Sequence, residues 1–345
     1  MELKIQPNLT IHINIILAST TFLNGQIWEI YMKVIIPVAG KGTRVRPHSY
    51  SKPKPFLRVG KTTAIQFILD HMLTISPEEI IIVHDKYTGE YFKEMLPEMY
   101  PDVKFTFVLQ DKQEGPAHAL YMARNLIKEG DELIINYCDT LFVKDLSCLK
   151  ALGEKYDGVV FVQEVEDYQR FGVVVHENHI MTNFIEKPEE PISKLANIAN
   201  YYFKDGHKFM QYVSRLIEED IRVKGELFLP EAVMMGVRDG QKYWIEDVDD
   251  WLDVGKIATV IETNAKLLDG EVHKETGVKV ENTELGKNVT IGKNTTLIDC
   301  HVENSIIGEN TKLIGLTIKD SVIGDKVVLK GGGTVFNIGD SSSMQ

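Results

Sequence analysis

The chain has 345 residues, 43% apolar and 26% charged, with a formal net charge of −12. That is enough chain for two domains, and the acidic balance excludes a nucleic-acid binder, because no broad basic face could offset phosphate repulsion. Three cysteines, Cys138, Cys148 and Cys300, lie far apart without CxxC spacing, which excludes a disulfide frame or a zinc site and fits reduced cytoplasmic thiols.

The first 31 residues stand apart. Residues 11–23 are fairly apolar, but His12, Asn14 and the Ser19-Thr20-Thr21 cluster interrupt them. The stretch is too short for a membrane span, and its flank (Glu2, Lys4) lacks the positive bias of a signal peptide, so no membrane association is expected. The codons of Trp28 and Glu29 write a purine-rich GGGA a few bases before the Met32 codon, where a bacterial ribosome-binding site would lie. Met32 is therefore read as the start, and 1–31 as a mis-assigned start or dispensable extension.

From Val34 an apolar run turns at Gly40 and Gly42 into a loop carrying Arg44, Arg46, Lys52 and Lys54. A buried strand ending in small residues exposes backbone N–H groups, and basic side chains follow within one loop. N–H dipoles and guanidinium forks together suit several phosphates of a small anion. Further strands are expected at Glu79–His84, Val103–Leu109, Glu132–Cys138 and Gly158–Val165, after a first at Lys33–Ala39. Between them Ala64, Ile65, Ile68, Leu69 and Met72 recur at helical spacing, as do Ala119, Leu120, Ala123, Leu126 and Ile127. Alternating strands and helices predict an α/β, Rossmann-like domain with a mostly parallel sheet. Ligands of such sheets sit at the carboxyl ends of strands, here in the loops after Ala39, Leu109 and Cys138.

An amphipathic helix with Val260, Ile261, Asn264, Leu267 and Leu268 closes this region, and a different pattern begins near residue 270. Leu285, Ile291 and Leu297 fall six residues apart, and the segment from Asn304 is echoed sixteen residues later from Asp320, matching Ile307 to Ile323 and Leu313 to Leu329. Apolar residues at every sixth position, with Gly, Asn and Asp at the turns, predict a short hexapeptide-repeat parallel β-helix. The expected division is 32–269, an α/β catalytic domain; 270–338, the β-helix; and 339–345, a frayed tail.

Gly40-x-Gly42 alone is common, and it is neither a Walker P-loop nor a dinucleotide fingerprint. With Thr43-Arg44, Pro47 and Lys52-Pro-Lys54-Pro at this spacing, the chain resembles the sugar-1-phosphate nucleotidyltransferases, many of which carry a C-terminal left-handed β-helix. The resemblance runs from Met32 to about Leu268. It implies that Ala39, Gly40, Gly42, Thr43 and Arg44 bind a nucleoside triphosphate, and that Gln110 and Gly115 read the base. It further implies that Gly172, Glu186 and Lys187 hold the sugar phosphate, that Asp139 and Asp253 bind Mg²⁺, and that Arg44, Lys54, Asp139 and Asp253 are catalytic. Residues 225–230 (Gly-Glu-Leu-Phe-Leu-Pro) echo a segment lining the sugar pocket. His118 is read as a helix residue near the nucleotide, without a catalytic role.

The implied reaction is attack of a hexose-1-phosphate oxygen on the α-phosphorus, with release of pyrophosphate. An already ionised phosphate needs no general base, so positioning and charge neutralisation carry the rate. The interval from Gln110 to Gly115 resembles glucose-1-phosphate thymidylyltransferases, whereas the opening Ile-Pro-Val-Ala-Gly-x-Gly-Thr-Arg is closer to UTP–glucose-1-phosphate uridylyltransferases. The expectation is dTTP, with UTP or a mannose-1-phosphate guanylyltransferase as alternatives. Lys41, Cys138 and Ala199 depart from common glycines of the family, and none removes a charged group. A non-catalytic regulatory subunit is the competing class, and the intact Arg44, Lys54, Asp139 and Asp253 weigh against it. An acyltransferase would need more coils and a placed histidine, whereas His301 lies within a coil-like segment. A cytoplasmic homo-oligomer is expected.

Overall fold

The computed structural model describes residues 21–23, 26–28, 31–190, 192–223, 225–331 and 335–344. Most of the 1–31 extension therefore lies outside the described residues; Thr21–Leu23 and Gln26–Trp28 pair antiparallel with each other.

A nine-stranded sheet is built around Tyr31–Pro37. Glu79–His84 and Asp131–Asn136 flank it in parallel, and Phe105–Leu109 adds outside Glu79–His84, also in parallel. The central residues Val34, Ile35 and Ile36 are fully buried because helices cover both faces, which is why the strand reads as a continuous apolar run. Pro37 ends the first strand earlier than the sequence suggests. Val38 and Ala39 then both donate to Val83 O (2.8 and 3.1 Å), which starts the glycine loop.

The other half of the sheet is not of this kind. Leu195–Phe203 runs antiparallel to Asp131–Asn136 and to Gly158–Glu164, and the hairpin Gly172–Glu177/Ile180–Glu186 adds beside it. Gly158–Glu164 is thus parallel only to Tyr243–Asp247. The parallel pattern holds for the glycine-loop half, while antiparallel pairings, one hairpin among them, dominate the remainder.

Helix Ala64–Leu73 starts at a Thr63/Gln66 capping box and buries Ala64, Ile65, Ile68, Leu69 and Met72. Pro116–Ala123 starts with proline in its first turn, and the chain tightens at Arg124–Leu126, so Ile127 is buried just beyond the helix. At the opposite end of the sheet, Lys33 Nζ lies 3.0 Å from Asp131 and 3.5 Å from Glu79, all three buried, and also donates to Leu126 O (2.7 Å).

After helix Ile257–Leu268, closed by Asp269 at φ 48°, the chain winds into a parallel β-helix. Ile291, Ile307 and Ile323 stack in register, as do Leu297, Leu313 and Leu329. The sixteen-residue echo is therefore one coil, with an apolar core that no single coil could bury. Corners fall on Asn288, Asn294, Asn304, Asn310 and Asp320 at positive φ, where their short polar side chains are tolerated. Buried hydroxyls tie the coils: Thr311 Oγ1 donates to Gly324 O (3.0 Å) and accepts from Val327 N (3.2 Å). The stretch expected to fray past 338 instead continues this pattern. Ser343–Met344 pairs with Val328–Leu329, because the backbone edge of the preceding coil is open to it.

The β-helix lies against the α/β region. Ile306 and Val322 share an apolar cluster with Val260 and Ile261. Asn264 Oδ1 accepts from Gly60 N (2.9 Å) and Thr290 Oγ1 (2.8 Å), a buried polar knot joining the two regions. Among the described residues, no helix is long and apolar enough to cross a membrane.

Candidate active site

The carboxyl ends of the parallel strands face one cleft. Asn136 ends its strand and its amide donates to Tyr137 O (2.9 Å) and Thr140 O (3.4 Å), which shapes the turn carrying Asp139. Thr140–Val143 then pairs antiparallel with Asp250–Asp253, setting Thr140 opposite Asp253, and Val254 N donates to Asp139 O (3.1 Å). Two aspartates more than a hundred residues apart in sequence are thereby brought side by side. Gly255 N holds Asp253 Oδ1 at 2.7 Å, and Thr263 Oγ1 donates to Asp253 O (2.9 Å).

Lys54 Nζ donates to Asp139 Oδ2 at 2.9 Å, and Arg44 lies 3.7 Å from the same oxygen. Burial works to raise the Asp139 carboxyl, but Lys54 and then Arg44 outweigh it and hold it below the usual carboxylate range. Its neighbour Cys138 is pushed up to about 12 by burial and by Asp139, so it is a neutral, inert thiol. Lys54 is largely buried, whereas Arg44 reaches into solvent at the mouth of the cleft.

The glycine loop has a different economy from the one its composition suggests. Ala39 N is taken by Val83 O, and Gly40 N donates to Asp85 Oδ2 (3.2 Å), so neither N–H is directed at a ligand. Gly40 instead offers open space, with nothing within 4 Å of where a Cβ would stand. Gly42 is needed for its φ of 56° and for the closeness of Ser49 and Lys54, whose Cβ atoms lie 3.0 and 3.2 Å from that position. Thr43 and Arg44 form a single turn of 3₁₀ helix beyond it. Asp85, also bonded by Tyr87 N and Thr88 N at 2.8 and 2.9 Å, organises this loop and was missed by the sequence reading. It stands at the carboxyl end of Glu79–His84, a position that could have marked it.

Gln110 is buried at the end of Phe105–Leu109. Its Nε2 reaches Gly115 O (3.3 Å) and His118 Nδ1 (3.2 Å), so the His118 ring orients the amide. Gly115, at φ 117°, lies so close to Leu227 that an added Cβ would meet its N and O at 2.8 Å. Leu227 N donates to Glu114 O and Ala117 N to Leu227 O (3.1 and 3.0 Å), which docks the 225–230 segment on the loop carrying Gly115.

On the third wall Gly172 pairs with Glu186 across the hairpin, and an added Cβ would stand 2.8 Å from Glu186 Oε2. Lys187, at φ 50°, lies 3.5 Å from Glu186 and 5.5 Å above the Phe228 ring. Tyr137 joins this wall to Asp139. Its phenol is pushed up by burial, then by Tyr201, Asp139 and Glu186.

Residues 33–270 match the family model described as nucleotidyl transferase. The chain belongs to that family. Among relatives, a bifunctional protein GlmU of Methanococcus vannielii is 29% identical over 77% of this chain and 61% of its own length. The UTP–glucose-1-phosphate uridylyltransferase AglF of Haloferax volcanii is 30% identical over 65% of this chain and 91% of its own. The chain spans 55–62% of the length of the GlmU relatives it matches. A solved structure of a putative glucose-1-phosphate thymidylyltransferase from Bacillus anthracis aligns with TM-score 0.61 and 26% identity, covering 70% of this chain and 98% of that one. In this family member the chain that follows the matched region, from residue 271 onward, carries the β-helix strands.

Proposed function

We propose that this family member is a sugar-1-phosphate nucleotidyltransferase, with dTTP and glucose-1-phosphate as substrates and dTDP-glucose and pyrophosphate as products. In this reading residues 32–269 are the catalytic unit. The observation that carries it is the convergence of Asp139, Asp253, Lys54 and Arg44 beside one strand end, joined through Tyr137 to the wall with Glu186 and Lys187.

The donor set fits Mg²⁺. Asp139, in the turn just before Thr140–Val143, and Asp253, at the end of the strand paired with it, offer hard oxygens, and no cluster of three or more His, Cys, Asp or Glu exists among the described residues to make an all-protein cage. A magnesium ion characteristically keeps water and substrate phosphates in its remaining positions. When bound by Asp139 and Asp253, it supplies neutralisation of phosphate charge. The chain's own residues do the rest. Lys54 turns from Asp139 toward the α-phosphate as that group arrives, and Arg44 meets the β- and γ-phosphates that leave. Lys187 holds the attacking sugar phosphate, with Glu186 beside it accepting from sugar hydroxyls. A bond forms between the sugar-phosphate oxygen and the α-phosphorus while the bond from that phosphorus to the bridging oxygen of pyrophosphate breaks. No proton needs to move, and placing two anions in line is the main task.

Base choice rests on Gln110. With Nε2 engaged by Gly115 O and His118, the amide offers Oε1, an acceptor. An acceptor suits the imide N–H of thymine or uracil and the lactam N–H of guanine, and repels the ring-nitrogen lone pair of cytosine or adenine. The likeness to a thymidylyltransferase over nearly its whole length supports dTTP, and the AglF relative makes UTP the next candidate. One methyl group separates the two.

The test is a panel of dTTP, UTP, GTP, CTP and ATP against glucose-1-phosphate and other hexose-1-phosphates, with the nucleotide sugar identified by mass. Formation of dTDP-glucose in preference to other products is expected. Silence across the panel would overturn the reading in favour of a regulatory subunit.

A further inference from the structure

The loop between Gly42 and Lys54 has two sides. Toward the cleft, Ser49 Oγ donates to Gly42 O (2.8 Å) and Lys54 reaches Asp139. Toward the β-helix, His48 Nε2 bonds Asn337 Oδ1 (2.8 Å), Asn337 Nδ2 donates to Arg46 O (3.3 Å), and Ser51 donates to Asp340. Lys52 donates to Asp325 and lies 4.0 Å from Asp340. Of the basic residues that suggested a phosphate loop, Lys52 is therefore turned away from the cleft.

Its partners form a column on successive coils. Asp325 Oδ1 accepts from Glu309 N (2.8 Å), and Asp340 Oδ1 accepts from Asp325 N (2.6 Å). Arg58 binds Glu309 and Glu275 one step along. Stacked carboxylates repel one another unless cations neutralise them, and here two cations of the α/β region do so from largely buried positions. Burial would raise the Asp325 carboxyl, yet Lys52, and further off Arg58, bring it below its ordinary value. The seam beside Lys52 holds a cavity of about 410 Å³ between Pro47, Tyr50 and residues 337–342. Pro47 closes on Gly339 at one edge of it, where an added Cβ would stand 2.9 Å from the Pro47 Cβ, and the polar bonds of His48, Ser51 and Lys52 join the rest of the loop to the coils.

We propose that Lys52 and Asp325 are positioning residues for nucleotide binding: their ion pair, aided by His48 and Asn337, latches the triphosphate loop to the last coils of the β-helix. The latch sets where Gly42, Arg44 and Lys54 meet the triphosphate. The proposal rests on the reading of this loop as the triphosphate holder. It also gives the β-helix a task within the reaction.

The test compares the full-length wild type with Lys52→Met, Asp325→Asn, the double variant and Lys52→Arg, using dTTP and glucose-1-phosphate. Each single variant should raise the KM for the nucleotide about tenfold, the scale of one charge-assisted bond, with the sugar-phosphate KM unchanged. The double variant should be no worse than either single, because both break one bond, and Lys52→Arg should restore the wild-type value. If Lys52 instead touched phosphate, Asp325→Asn would leave the nucleotide KM unchanged or lower it, which would overturn the latch. Should the wild type show no turnover, the proposed reaction fails, and amide hydrogen exchange of residues 42–54 decides the latch alone. Faster exchange in both single variants supports it, and unchanged exchange refutes it.

Discussion

Lys54 and Asp139, 85 residues apart in sequence, meet at 2.9 Å, and each neutralises the other in the cleft. The pair fixes a charge pattern that persists into acid. Asp139 has a folded-state pKa below its unfolded value, so its contribution to stability is present above the unfolded pKa of about 3.9 and is lost as pH falls through the lower folded value. Asp325 behaves in the same sense through Lys52.

The first prediction follows from that sign. Lys54→Met should lower kcat/KM by at least about 100-fold, as loss of a charge aimed at the reacting phosphate does. It should also move the acid limb of the stability profile upward, because Asp139 loses the largest influence holding it ionised. Urea unfolding midpoints of wild type and variant between pH 7 and pH 3 check the second part. An unshifted limb would contradict it.

Gln110→Ala removes the acceptor offered to the base. Activity with dTTP and UTP should fall by about 100-fold, while the already poor activity with CTP changes little, so the preference collapses. Steady-state kcat/KM for the nucleotide series reads this directly.

Gly115→Ala forces a Cβ to 2.8 Å from Leu227 N and O at a φ of 117° that L side chains rarely adopt. A cost of roughly 1–3 kcal/mol is expected, with displacement of the loop that anchors Gln110. Chemical denaturation should show the loss, and nucleotide KM should rise with it.

Lys33→Met leaves Asp131 and Glu79 buried without their shared cation. Breaking a buried pair in this way costs about 3–5 kcal/mol, and the effect should appear in thermal unfolding with nucleotide KM unchanged in the surviving folded protein. A variant as stable as wild type would show that the triad is solvated.

The sequence was legible where periodicity and stacking act alone. Ile307 over Ile323 and Leu313 over Leu329 could be read sixteen residues apart because a β-helix coil repeats its own environment. The buried parallel strands were legible as unbroken apolar runs. The second half of the sheet was not, since Leu195–Phe203 alternates between two apolar faces and nothing local says that its neighbours run antiparallel. At the site, charged residues announced themselves through motif spacing, but their partners did not. Asp85 capturing Gly40 N and Lys52 facing Asp325 are long-range choices, made by which strand ends and coils the fold sets beside the loop.

The central claim is that Asp139 and Asp253 form one site with Lys54 for nucleotidyl transfer. Its most direct measurement is pyrophosphate release from dTTP and glucose-1-phosphate, with Mg²⁺ varied, by wild type and Asp139→Asn. Release by the wild type should depend on Mg²⁺, with none above background from the variant although its thermal unfolding remains cooperative. Wild-type rates from the Asp139→Asn variant would contradict it.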